Sequence, residues 1–187
     1  MIWNDHSRDF PEGSHAPFGA SNPYWINYDE ERALAYYKSL LAKAKGTKLH
    51  ELARKCIEEK IQLKGRNTLA RYTNDAIGYR MRPEQALVYS SRFAGTADSI
   101  IFNNGLLRIH DLKTGQIPAK IDQLMIYDAL FCLEYGVNPK EINHELRIYQ
   151  NDDVNVVKPE VDDILYIMDK AKSLDKTIKE YQEDQEA

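Results

Sequence analysis

Two aspartates and a lysine stand in a pattern that suits phosphate chemistry. The stretch GTADSIIFNNGLLRIHDLKTG, residues 95–115, reads as two short apolar segments joined by Asn104 and Gly105, a dipeptide that strongly favours a two-residue hairpin turn. With those two residues at the centre of a type I′ turn, Asn103 faces Leu106, Phe102 faces Leu107, Ile100 meets Ile109 and Asp98 meets Asp111. Directly opposed residues have Cβ atoms about 4.5–5.5 Å apart, so two carboxylates there repel unless a cation or a shared proton relieves them. Lys113, two residues beyond Asp111, points to the same face because strand side chains alternate. A hard divalent ion, Mg²⁺ or Mn²⁺, takes oxygen ligands of this kind. It polarises a phosphoryl oxygen and lowers the pKa of a bound water, while a neighbouring lysine orients that water or offsets developing charge. The same spacing also fits two exposed aspartates at fraying strand ends with Lys113 as a surface partner, and the residues alone leave both readings open.

Other elements must hold this hairpin. Residues 29–45 have good helix formers, acidic at the start and basic at the end, and Gly46 is expected to stop that helix. Thr47 can cap a second helix, in which Leu49, Leu52, Ala53, Cys56 and Ile57 form one buried stripe and His50 lies at its edge, either as a half-buried helix histidine or as a ligand. After a polar connection come strand-like runs near QALVYSS, GTADSIIF and LLRIHDLK, then a helix from about Ala119 to Tyr135 stopped by Gly136 and Pro139. HELRIYQ reads as a fourth strand, and a terminal helix starts from Pro159. This order predicts an α/β (α+β) fold with a central mixed β-sheet of about four to five strands flanked by helices. Gln123 and Tyr127 lie one helical turn apart, so they can share a phosphate, a base or Lys113, or simply pack as helix residues do.

The 187 residues suit one domain, 29–183, between a loop-rich arm over 1–28 and an acidic tail over 184–187. No apolar run approaches the roughly 18 residues of a membrane span, and the N-terminus lacks the basic start and apolar stretch of a secretory signal. Cys56 and Cys132 have no CxxC spacing, which argues against a zinc or iron–sulfur site and fits two buried thiols in a reducing, cytoplasmic compartment. The net charge of −4 conceals an asymmetry: residues 1–31 carry −5, 32–82 carry +9, 83–140 carry −1 and 141–187 carry −7. The basic segment, including Lys48 and Arg54, is either a polyanion-facing surface or a solvated helix face.

GTAD, the thirteen-residue step from Asp98 to Asp111, and DLKTG together resemble the PD-(D/E)XK nucleases, specifically the RecB-like exonuclease branch. Upstream, KGTKLHEL is similar to that branch's G…H helix; downstream, QLMIY is similar to its Q…Y helix, and FGASNPYW to the S…W region of phage members. The resemblance implies a restriction-endonuclease-like core in which His50, Asp98, Asp111 and the Leu112 carbonyl hold Mg²⁺ or Mn²⁺, with Lys113 as the catalytic lysine. It also implies that Gln123 and Tyr127, with Lys48 and Arg54, hold DNA. With two cysteines the chain lacks the four-cysteine iron–sulfur staple of some members. The implied activity is that of a small stand-alone DNA exonuclease in recombination, repair or phage genome processing, acting in the cytoplasm, that of the host if phage-encoded. A homo-oligomer or a single-strand-annealing recombination partner fits such an enzyme, and a membrane does not. The alternatives are a structure-specific endonuclease and a non-catalytic DNA-binding subunit. Glu84, beside Pro83, is left out of the expected ligand set, and His110, alternating away from Asp111, is expected to pack or lie at the surface.

Overall fold

In the computed structural model, which describes residues 16–20 and 22–186, Asn104 and Gly105 turn the chain with φ of 50° and 71°. Positive φ at both central positions is the type I′ geometry. The strands it joins, β2 (Phe93–Asn103) and β3 (Leu106–Leu112), pair in the expected register from Asn103↔Leu106 to Ser99↔His110. β1 (Arg82–Ser90) lies antiparallel on the other side of β2. β4 (Asn143–Gln150) runs parallel to β3, and β5 (Asp153–Val157) closes the far edge antiparallel to β4. The result is an α+β fold with a mixed five-stranded sheet in the order β1-β2-β3-β4-β5, flanked by four α-helices.

The parallel β3–β4 pair needs a crossover, and α3 (Asp122–Tyr135) supplies it. With α4 (Val161–Glu186), α3 covers one sheet face, where Leu107, Ile109, Leu124, Leu146 and Ile164 are fully buried. On the other face Ala53 and Ile57 of α1 (Glu30–Glu59) and Tyr72 and Ala76 of α2 (Thr68–Gly78) pack on Leu112 and Tyr149. A buried polar contact ties α3 to β4: His144 Nδ1 lies 2.8 Å from Asp128 Oδ2 and its Nε2 3.0 Å from the Pro139 carbonyl. Burial lowers the pKa of this ring, but its bonds to Asp128 and to the Pro139 carbonyl outweigh that and raise it.

Three expectations change. The helices expected on either side of Gly46 are one continuous helix, α1. The polar connection contains α2, capped by Asn67, whose side chain accepts from the Ala70 amide. β5 follows the strand that was expected to be last, and α4 continues through Glu186, so the described part of the acidic tail is helical.

The chain divides into two compact units between Lys45 and Gly46, inside α1. In the first, Phe18, Trp25, Tyr28 and Tyr36 form an aromatic cluster around a 3₁₀ turn over Pro23–Asn27, and the Arg32 guanidinium lies 4.4 Å from the centre of the Tyr28 ring. Residues 1–15 of the expected arm, Ser21 of its S…W pattern and Ala187 lie outside the described residues. The second unit, from Gly46 onward, carries the sheet. No helix among the described residues is long and apolar enough to cross a membrane.

Candidate functional site

The β2–β3 ladder has its last pair at Ser99↔His110, one step before Asp98 and Asp111 would face each other as ladder partners. There the Asp98 carboxylate takes over: its Oδ2 accepts from the Leu112 amide at 2.8 Å. The expected side-by-side pair is therefore corrected to a gap at the end of the ladder. In extended backbone a residue's amide and carbonyl point to the same side, so the Leu112 carbonyl is directed at this gap. Asp111 is 1% exposed, and its buried Oδ2 lies 3.0 Å from the Lys113 ammonium. Burial, then the negative charge of Asp98, push the Asp111 carboxyl above the usual carboxylate range, against the pull of Lys113.

The Lys113 ammonium lies 3.0 Å from Asp111 Oδ1 and donates to Gln123 Oε1 at 2.8 Å. Gln123 Nε2 in turn donates to the Tyr127 hydroxyl at 2.8 Å. A hydrogen-bonded chain Asp111–Lys113–Gln123–Tyr127 thus joins the end of β3 to one face of α3. Burial holds the Tyr127 phenol above its ordinary pKa, so it stays protonated and able to donate. The loop between Lys113 and α3 is fastened by Gln150 of β4, whose Nε2 donates to the Gly115 and Ile117 carbonyls and whose Oε1 accepts from the Ala119 amide.

From the other sheet face His50 reaches over the end of the strands, its Nδ1 lying 3.4 Å from Asp98 Oδ2. The hydrogen bond to Asp98 raises its pKa against the opposing effect of burial, and the charges of Asp98, Asp111 and Glu84 add to the rise. Glu84 itself is raised by burial and then by Asp98. Ligand atoms of His50, Glu84 and Asp98 lie within 4.8 Å of one another. Glu84, left out of the expected set, therefore joins the cluster. Its backbone sits at φ 48° between the paired residues Pro83 and Gln85, a left-handed conformation inside a strand that is costly for a non-glycine residue and concentrates at functional sites.

Two glycines of the motifs are steric requirements. A Cβ at Gly46 would stand 2.8 Å from Thr114 Oγ1, and one at Gly95 would stand 2.7 Å from Tyr127 Cε1. Gly46 therefore lets α1 approach the residue after Lys113 instead of ending the helix, and Gly95 lets the Tyr127 ring lie against β2.

The expected DNA-binding residues Lys48 and Arg54 differ in what surrounds them. Lys48 is exposed, whereas Arg54 is committed to Glu51 and Glu58 within its own helix, both at 2.8 Å. His110 is fully buried between Tyr79 and Tyr149, and burial drives its pKa down to about 2, so it packs as a neutral ring with no share in the site.

The close set of imidazole and carboxylate atoms from His50, Glu84 and Asp98 fits a hard divalent cation, with the Asp111–Lys113 ion pair and the Leu112 carbonyl beside it. Hairpin spacing singles out Asp98 and Asp111, the family resemblance implies His50 and the Leu112 carbonyl, and Glu84 stands outside both. Neither the left-handed backbone of Glu84 nor its closeness to Asp98 has a signature in residue types. No protein-family model, curated protein or solved structure significantly matches this chain.

Proposed function

We propose that this chain is a Mg²⁺- or Mn²⁺-dependent deoxyribonuclease that hydrolyses phosphodiester bonds from DNA ends. The observation that carries the reading is the close set of His50, Glu84 and Asp98 ligand atoms at the end of the strands, beside the buried Asp111 carboxylate that Lys113 bridges to Gln123.

The cation, when bound to this set, supplies Lewis-acid polarisation of a phosphoryl oxygen and acidifies a ligated water. His50, Glu84 and Asp98 would hold it, with Asp111 beside them. Lys113 is oriented by two acceptors at once, which leaves its third N–H free to orient the attacking water or offset developing negative charge. Gln123 and Tyr127 keep that ammonium aimed.

Digestion of end-labelled linear and covalently closed circular DNA, with Mg²⁺ and with EDTA, tests the reading. Linear DNA alone is expected to be degraded, only with metal, and Lys113→Ala is expected to abolish the activity while the chain still folds. Cleavage of closed circles would instead favour an endonuclease, and cleavage in EDTA or by folded Lys113→Ala would overturn the assignment.

A further inference from the structure

We infer that the cavity beyond the start of β1 is a nucleobase-binding subsite that grips a single DNA strand as it leaves the candidate cation cluster; this rests on the nuclease reading for the identity of the strand. The cavity, of about 250 Å³, is lined by Arg80, Arg82, Phe102, Phe131 and Tyr135 among others. Its floor is the buried ring of Phe131, with the Phe102 centroid 5.3 Å away on one side and the Tyr135 centroid 4.9 Å away on the other. Phe102 is 43% and Tyr135 55% exposed, so two aromatic faces border an open slot above a third ring. Isolated exposed aromatics need no explanation, but two that both contact a third beside two guanidinium groups form what a base and its phosphate require.

The arginines add an independent observation. Arg54, Arg92, Arg108 and Arg147 are each engaged with carboxylates. Arg80 and Arg82 form no ion pair among the described residues. Arg80 also holds a left-handed backbone, φ 58°, at the turn into β1. Two unneutralised guanidinium groups at the rim of an aromatic slot fit an anionic, planar ligand.

Three elements lead from the cation cluster to this slot. Along β1, Arg82 lies two residues from Glu84, roughly 6–7 Å of extended chain. On β2, Asp98 is followed on the same face by Ile100 and Phe102. On α3, Gln123, Tyr127, Phe131 and Tyr135 recur every fourth residue, each step rising about 6 Å along the helix. The stripe that aims Lys113 therefore continues directly into the aromatic floor. A strand whose phosphate sits at the cluster meets bases' worth of π-surface and two cations along one line.

The test is fluorescence anisotropy of the full chain with a short labelled oligothymidylate in EDTA, so that binding is read without cleavage, beside metal-dependent digestion by the same preparations. Tyr135→Leu, which keeps most of the volume and removes the π-face, is expected to weaken binding about tenfold. Arg82→Ala is expected to weaken it and to lower the salt slope by about 0.7. With an abasic probe the Tyr135→Leu effect is expected to vanish while the Arg82→Ala effect persists. Tyr166→Ala, on the exposed face of α4, should bind as the unaltered chain does. Unchanged binding by both Tyr135→Leu and Arg82→Ala, or no binding by the unaltered chain, overturns the subsite whatever the digestion shows. Weakened binding by these variants in a chain that never cleaves DNA keeps the subsite and overturns the nuclease reading.

Discussion

Gly95 and Tyr127 are in such close contact that a methyl group at position 95 would stand 2.7 Å from Tyr127 Cε1. The ring on α3 that ends the Lys113–Gln123–Tyr127 hydrogen-bond chain therefore uses a missing side chain on β2 as its seat. Gly95→Ala is expected to cost about 1–3 kcal/mol by overpacking and to lower cleavage by displacing Tyr127. In a Tyr127→Ala background the same Gly95→Ala change is expected to cost less, as read by thermal melts at the four corners of a double-mutant cycle, while cleavage stays low. An equal cost of Gly95→Ala in both backgrounds would contradict the contact.

Gly46 makes the opposite kind of prediction, because helix propensity and packing pull in different directions. A Cβ there would meet Thr114 Oγ1 at 2.8 Å, so Gly46→Ala is expected to destabilise the chain. In a Thr114→Ala background the clash is gone, and Ala should then exceed Gly by about 0.5–1 kcal/mol in the helix interior. Four thermal or denaturant curves, one for each corner of the double-mutant cycle, check the change of sign.

Glu84 offers the sharpest test of the cation site. Mg²⁺ is expected to raise the melting temperature of the unaltered chain, with a stabilisation of about 2.7 kcal/mol when it is present at a hundred times its dissociation constant. Glu84→Gln should weaken Mg²⁺ affinity by about tenfold or more, as loss of a ligand or of its supporting contacts does in metal sites. Isothermal titration of the two proteins with MgCl₂ compares them directly, and equal affinities would remove Glu84 from the ligand set.

The buried His144–Asp128 pair predicts how stability depends on pH. Burial disfavours the charged ring, but the bond to Asp128, that to the Pro139 carbonyl and the charge of Asp128 outweigh it and raise the pKa. A raised folded-state value means that the stabilisation is complete below the unfolded value of about 6.5 and is lost as pH rises through the folded one. Melting temperature is therefore expected to fall across that rise in the unaltered chain and to fall less in His144→Asn. At pH 6 His144→Asn should cost about 3–5 kcal/mol, because it leaves the Asp128 charge buried and unpaired.

The sequence made the hairpin legible because its turn is a local matter: Asn104 and Gly105 tolerate positive φ, and the register follows from them. Lys113, Gln123 and Tyr127 were legible because alternation and helical spacing put them on facing surfaces. What escaped was either weakly patterned or long-range. In α2, Leu69, Tyr72, Thr73 and Ala76 follow helical spacing behind an Asn cap, a signal present but diluted by polar neighbours. Gly46 was misread as a helix stop because its reason for being glycine is Thr114, far along the chain. Glu84 depends on a backbone conformation that no residue type announces.

The hydrogen-bonded sequence from Asp111 through Lys113 and Gln123 to Tyr127 draws every member from one short span of chain. Closing such small loops costs little entropy, and contacts between near neighbours form quickly. During refolding, the ammonium and its two supports should therefore become ordered before the distant imidazole arrives on its helix, so that affinity for the divalent ion is the last property the maturing chain acquires.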